Sequence, residues 1–161
     1  MSRNPPFQNG TCLLAVAICL SAFFIGSATI TQVDTAEAAS FQKKLLKLHN
    51  KERKKRNKPK LRLNSSLKRS AQAYAQDLAA SGILSHVGVD GSTFDQRIRA
   101  QGGNFSTMGE NIAQGQPTAK AVHKGWMRSP GHRRNILDKR FRTVGFGIAG
   151  NDPFWAANFG D

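Results

Sequence analysis

The sequence reads as an α+β sandwich in which helices cover an antiparallel sheet. Three observations carry that reading. Apolar residues recur at helical spacing in successive segments from Phe41 onward. Two β-like runs, 143–149 and 154–159, lie near the C-terminus. Gly150-Asn151-Asp152 joins those runs as a hairpin. Helices first and locally pairing strands last is the order of an α+β domain.

Taken in order, the chain opens with an export signal. Arg3 supplies the positive start, residues 12–30 are almost uncharged and mostly apolar, and Ala36-Glu37-Ala38 places small residues where a signal peptidase reads them. A membrane anchor is the competing reading, since a spanning helix needs roughly 20 apolar residues. Ser21, Gly26, Ser27, Thr29 and Thr31 dilute the run and favour cleavage after Ala38. Residues 1–38 are then a signal peptide and 39–161 one domain with one core. Both cysteines, Cys12 and Cys19, fall in the signal, so the mature domain relies on packing without disulfides. Thr11 and Ile18 precede them, which does not suit a lipoprotein site.

Ser40 is expected to cap a first helix carrying Phe41, Leu45, Leu48 and Glu52, ending near Asn57 before Pro59. Leu61 and Leu63 alternate with Lys60 and Arg62 in a short extended piece. A second helix starts at Ser65 or Ser66, buries Leu67, Ala71, Tyr74, Ala75 and Leu78, and stops at Gly82. Asp90-Gly91 is a turn. Ser92 then caps a short helix bearing Phe94 and Ile98, closed by Gly102-Gly103. Residues 104–113 read as loop and strand. Thr118 caps a helix with Ala119, Val122, Trp126 and Met127 on its inner face. Ser129-Pro130-Gly131 breaks that helix, and residues 132–137 form a further turn.

Charge is lopsided. The chain has 24 Lys+Arg against 10 Asp+Glu. Cleavage removes Arg3, Asp34 and Glu37, which moves the net charge from +14 to +15. Much of it is early, in the run Lys51, Arg53, Lys54, Lys55, Arg56 and Lys58, for which a solvated helix face that only aids solubility is the competing reading. Such a block attracts polyanions over long range. Export argues against nucleic acid, and no specific nucleic-acid recognition is expected. Anionic envelope polymers or lipid headgroups are the expected partners, and the protein is expected to be a monomer.

The domain contains His49, His86, His123 and His132, and no HExxH, Cys cluster, GxSxG or phosphate loop. Three patterns place ionisable groups beside breakers: Ser85-His86, Gly109-Glu110-Asn111-Ile112-Ala113, and Trp126 to Arg133. His123 reads as an exposed helix residue, and His49 as a link from the first helix to its neighbours.

The strings LHNKER at 48–53, AQAYAQDLA at 71–79, LSHVGVDGSTFDQRI at 84–98, GENIAQG at 109–115, WMRSPGHRRNIL at 126–137 and VGFGIA at 144–149 together resemble the CAP superfamily. Its members include cysteine-rich secretory, antigen 5 and pathogenesis-related proteins, and its module is also called the SCP domain. The likeness runs from about Phe41 to Gly160 and is greatest to the cysteine-poor bacterial branch. It implies a three-layer α-β-α sandwich with a central antiparallel sheet. It also implies a cleft lined by two His and two acidic residues. Carried over, these are His86, Glu110 and His132, with Ser129 standing where the second acid belongs.

Two neutral imidazoles and a carboxylate suit Zn²⁺, with His86 and His132 as the metal ligands. They equally suit an anionic or sugar ligand. A hydrolase using His and Glu as base and acid is the alternative, with Ser85 and Ser129 the available hydroxyls and neither marked as activated. A third reading is an interaction module that uses the basic first helix. A secreted or periplasmic ligand- or metal-binding or interaction module of the cell envelope or extracellular space is the reading favoured here. N-terminal sequencing of the exported protein should begin at Ala39, whereas an intact N-terminus in the membrane fraction would contradict cleavage.

Overall fold

In a computed structural model, residues 35–161 are described, with side chains from Ser40 onward, and they fall within a single compact unit. The signal segment through Asp34 lies outside the described residues. The elements are α1 (Thr35–Lys54), β1 (Arg62–Leu63), α2 (Ser65–Ser81), α3 (Phe94–Ala100), β2 (Met108–Gln114), α4 (Ala119–Arg128), α5 (Pro130–Leu137), β3 (Thr143–Ala149) and β4 (Phe154–Gly160). The sheet order is β1-β3-β4-β2, antiparallel except for the short parallel pairing of β1 with β3. α2 covers one face. α1, α4 and α5 cover the other, giving the expected three-layer α-β-α sandwich.

Two helix starts differ from expectation. α1 begins at Thr35, so Ser40 lies inside it rather than capping it. Ala36, Glu37, Ala38 and Ala39 are strong helix formers and carry the helix past the serine. α3 is capped by Thr93, not Ser92: Gln96 at the third helical position accepts from the Thr93 N–H at 2.9 Å, a contact that Ser92 is one residue too early to receive. The other termini agree. Asn64 accepts from Leu67 N–H ahead of α2, Thr118 accepts from Ala121 N–H ahead of α4, and Gly82 closes α2 with a left-handed φ of 69°.

Strand alternation divides the core. Val144, Phe146, Trp155, Ala157 and Phe159 join Leu45, Val122, Trp126 and Ile136 on the α1/α4/α5 side. Ile112, Phe154 and Ala156 meet Ala71, Tyr74, Ala75 and Leu78 of α2 on the other. α2 approaches β3 very closely. A Cβ at Gly145 would lie 2.1 Å from Lys68 N, and one at Gly147 would lie 2.2 Å from Ala71 O. The two glycines of VGFGIA are therefore the surface on which α2 rests.

Edge strand β2, and β3 beyond the two-residue reach of β1, complete their hydrogen bonding with side chains. On β3, the Gln42 amide donates to the Phe146 carbonyl and accepts from its N–H, and the Gln72 amide does the same at Ile148. On β2, Asn135 donates to the Glu110 carbonyl at 3.0 Å and Trp126 Nε1 to the Ile112 carbonyl at 3.2 Å. Each takes the place of a neighbouring strand for backbone groups that would otherwise lack a partner.

Two further residues depart from their expected exposure. Arg53 is not part of a solvated basic face: it is fully buried. Its guanidinium donates to the carbonyls of Pro59 (2.6 Å), Ile136 (2.9 Å), Asp138 (2.9 Å) and Phe141 (2.8 Å). The C-terminal carbonyls of α5 supply the negative dipole end that a buried cation needs. His123, expected to be exposed, is buried, because its ring packs 4.8 Å from that of His49. His49 donates from Nδ1 to the Leu45 carbonyl within its own helix at 2.9 Å, and its Nδ1 lies 3.2 Å from His123 Nδ1. It thereby links α1 to α4. Its Nε2 has no partner among the described residues.

Replacing Arg53 with Met removes the donors from four carbonyls, those of Ile136 and Phe141 in buried bonds and those of Pro59 and Asp138 in partly buried ones. The expected loss is at least about 3 kcal/mol in urea denaturation. Arg53→Lys should recover little, because one ammonium has no fork to span the four acceptors. A loss under about 0.5 kcal/mol, typical of a surface site, would refute the role.

His49 makes stability depend on pH. Burial, and then the charges of His123 and Arg53, lower its pKa to about 3, with the Leu45 hydrogen bond opposing. The folded state keeps the ring neutral, while the unfolded ring takes a proton near pH 6.5. Stability is therefore intact above about pH 6.5 and falls below it, by up to about 1.4 kcal/mol per pH unit, towards pH 3. Between pH 6.5 and about pH 5 the loss should reach about 2 kcal/mol from this residue. Denaturation of His49→Met over the same interval should show a clearly smaller change; an equal change would remove His49 as the cause.

Candidate functional site

The candidate cleft lies along the outer edge of β2. Glu110 is the third residue of that strand and its side chain is 1 % exposed. His86 arrives on the loop after α2. That loop is set by Gly82, by the Tyr74 hydroxyl donating to the Ser85 carbonyl, and by Ser85 Oγ, which accepts from Val87 N–H and donates to the Val87 carbonyl. His86 Nδ1 meets Glu110 Oε1 at 2.8 Å, with the imidazole half exposed. Ile83, Leu84, Val87 and Val89 are exposed on the same loop.

Arg97 of α3 completes the group. Its Nη2 donates to Glu110 Oε2 at 2.9 Å and to the His86 carbonyl at 3.1 Å. Its Nη1 donates to the Ser92 carbonyl at 2.6 Å. The guanidinium lies 3.4 Å from the centre of the Tyr74 ring, a cation–π contact. The buried carboxylate is thus held between a cation and an imidazole, and the cation also fixes the backbone that carries the imidazole. Sequence reasoning gave Arg97 no role and treated Tyr74 only as core. The one available signal was that both lie inside the quoted strings 84–98 and 71–79.

His132 lies in the first turn of α5, opposite this group. The buried Asn111 side chain donates to its carbonyl at 3.0 Å, and Asn135 donates to both Asn111 Oδ1 and the Glu110 carbonyl. α5 is thereby tied to the residues flanking Glu110. Burial lowers the His132 pKa, and the charge of His86 lowers it further. Ser129 lies at the junction of α4 and α5, where its backbone serves both helices and its side chain makes no capping bond. No hydrogen bond joins it to the cluster among the described residues. Among those residues there is also no group of three His, Cys, Asp or Glu arranged to hold a metal ion. Neither His86 Nε2 nor the His132 ring makes a hydrogen bond among the described residues.

Comparison with known proteins bears on the fold and the family. The Bacillus subtilis protein YkwD is 36 % identical over 125 residues, covering 77 % of this chain and 48 % of its own length. The Bacillus subtilis membrane protein YlbC is 27 % identical over 118 residues, covering 73 % and 34 %. The chain thus spans half or less of these curated relatives. Among solved structures, an extracellular SCP-domain protein of Bacillus anthracis superposes with a TM-score of 0.69 at 28 % identity, covering 76 % of this chain and 40 % of that one. An outer surface protein of Borrelia burgdorferi superposes with a TM-score of 0.71 at 25 % identity, covering 80 % and 96 %. These structural relatives are extracellular or outer-surface proteins, and no helix among the described residues is long and apolar enough to cross a membrane. Residues 46–159 match CAP, the cysteine-rich secretory protein family, and the chain belongs to that family.

Proposed function

We propose that the protein is an exported binding module of the cell envelope or extracellular space whose ligand is held by His86 and His132. The observation that carries this reading is the condition of Glu110. Its carboxylate is buried and both oxygens are engaged, one by His86 and one by Arg97. A carboxylate in that condition orients its partners and is poorly placed to exchange protons with a substrate. When neutral His86 donates Nδ1–H to Glu110, its Nε2 offers a lone pair. His132, kept neutral by burial and by its neighbour, offers a second.

Two neutral imidazoles, one backed by a carboxylate, are donors suited to Zn²⁺. The fit is to a two-histidine site with the carboxylate behind it, and further ligands would have to come from solvent or from a bound molecule. A fold relative at 15 % identity, NaASP2, has been solved with Zn²⁺. That makes zinc the first probe. Hydrolysis has less support: Ser85 is occupied by its local turn, and no base reaches Ser129 among the described residues. Export rests on the Ala36-Glu37-Ala38 pattern and on the extracellular nature of the structural relatives.

Zinc titration calorimetry at a pH of about 7.5 and about 5.5 is the test, because both imidazoles must be deprotonated to bind. Wild type should bind more tightly at the higher pH, and His86→Ala and His132→Ala should each weaken binding at least about tenfold, the span left by losing one of two ligands. Equal binding at both pH values, or full binding by His132→Ala, would exclude zinc as the ligand.

A further inference from the structure

On the far side of α5 from the cleft, α1 and α4 enclose a second depression of about 410 Å³. Its rim carries Lys51 from α1, Lys55 and Arg56 from the turn that follows it, Lys120 and Lys124 from α4, and Arg133 from α5. Its less exposed lining includes Leu48, Met127 and the buried His123. Among the described residues Glu52 is the only carboxylate lining it, and that carboxylate is already shared: Lys55 lies 2.9 Å from Oε1 and Arg56 2.6 Å from Oε2. Glu52 therefore fixes two of the cations in place and leaves the depression strongly positive.

We propose that this groove is a binding site for a linear polyanion bearing phosphate groups. Three features favour it over a merely solvated basic face. The cations come from three separate helices and converge on one depression. Lys51 and Lys55 form one i,i+4 row, and Lys120 and Lys124 form another. The second row lies within α4 and spaces its charges by about 6 Å along the helix axis, and a like-charge pair at this spacing disfavours a helix unless counter-charge is supplied. Arg56 and Arg133 add planar forks that match phosphate oxygens. The concavity and the apolar lining, Leu48 and Met127, suit a narrow chain with a carbon skeleton. A flat bilayer would meet the rim lysines without reaching that lining. Arg53, although it belongs to the same run in the sequence, takes no part because it is buried.

The proposal does not depend on the reading of the cleft, because none of the groove residues belongs to it. Binding of inorganic polyphosphate to the full exported protein tests it, read by calorimetry in about 0.1 M and about 1 M salt. The variants are Lys51→Gln/Lys124→Gln, Arg133→Gln, and a control of equal charge loss on exposed residues outside the groove, Lys43→Gln/Lys47→Gln. Wild type should lose most of its affinity at high salt. The groove pair should lose at least about tenfold and lower the salt slope by roughly 0.7 per cation removed, while the control changes by less than about threefold. His132→Ala should bind polyphosphate as wild type does, whatever its effect on zinc. Equal losses in groove and control variants would mean that net charge alone attracts the polymer and would overturn the site. So would tighter binding to phosphatidylglycerol vesicles than to polyphosphate, since that identifies a planar anionic surface as the partner.

Discussion

The buried guanidinium of Arg53 is the contact on which the layer around the cleft depends. It ties the last turn of α1 to the end of α5 and to the segment entering β3, through four carbonyl oxygens. Those carbonyls belong to a region where the chain leaves a short helix and has no strand partner for its backbone. A cation that donates in several directions resolves all of them at once. Because it fixes the end of α5, it also fixes the start, eight residues in all, where His132 is presented to the cleft. Asn111 and Asn135 anchor the same helix from the β2 side. The cleft geometry is thus set by groups that never touch a ligand.

The parts of the fold that could be read from sequence are those governed by local periodicity. Leu67, Ala71, Tyr74, Ala75 and Leu78 repeat at the spacing of one helix face, and all are buried. Phe154 to Phe159 and Thr143 to Ala149 pair in register around a glycine-led turn. What escaped reading has a common cause. Arg53 resembles its neighbours Lys51, Lys54 and Lys55 in type, and nothing in a run of cations says which one turns inward to meet carbonyls far along the chain. His123 was misread for the same reason, since the ring that covers it belongs to a residue 74 positions away. His86, Glu110 and His132 were found through family likeness. Arg97, which neutralises the carboxylate between them, was not, although it lies only 13 positions from Glu110.

The two charged regions of the molecule are built on opposite principles. In the cleft, charge is cancelled: Glu110 is neutralised, and the pKa of His132 is lowered by burial and by His86. Such a site discriminates by geometry and by lone pairs, and little of its attraction is long-range. In the groove between α1 and α4 the single carboxylate is outnumbered, so attraction extends through solvent and falls with ionic strength. α5 separates them by one residue, with His132 on one side and Arg133 on the other. A conformational change in the first turn of this helix would be felt at both.

The side-chain amides laid along the strands have a consequence for the protein outside any binding event. Gln42 and Gln72 occupy backbone groups on one border of the sheet, and Asn135 and the Trp126 indole occupy those on the other. A foreign strand or a second copy of the chain would have to displace them before it could zip on. These bonds therefore oppose edge-to-edge strand addition along the stretches they occupy. A domain with no cysteine after Cys19 gains from this protection, because no covalent bridge would hold its borders together if it opened for a moment.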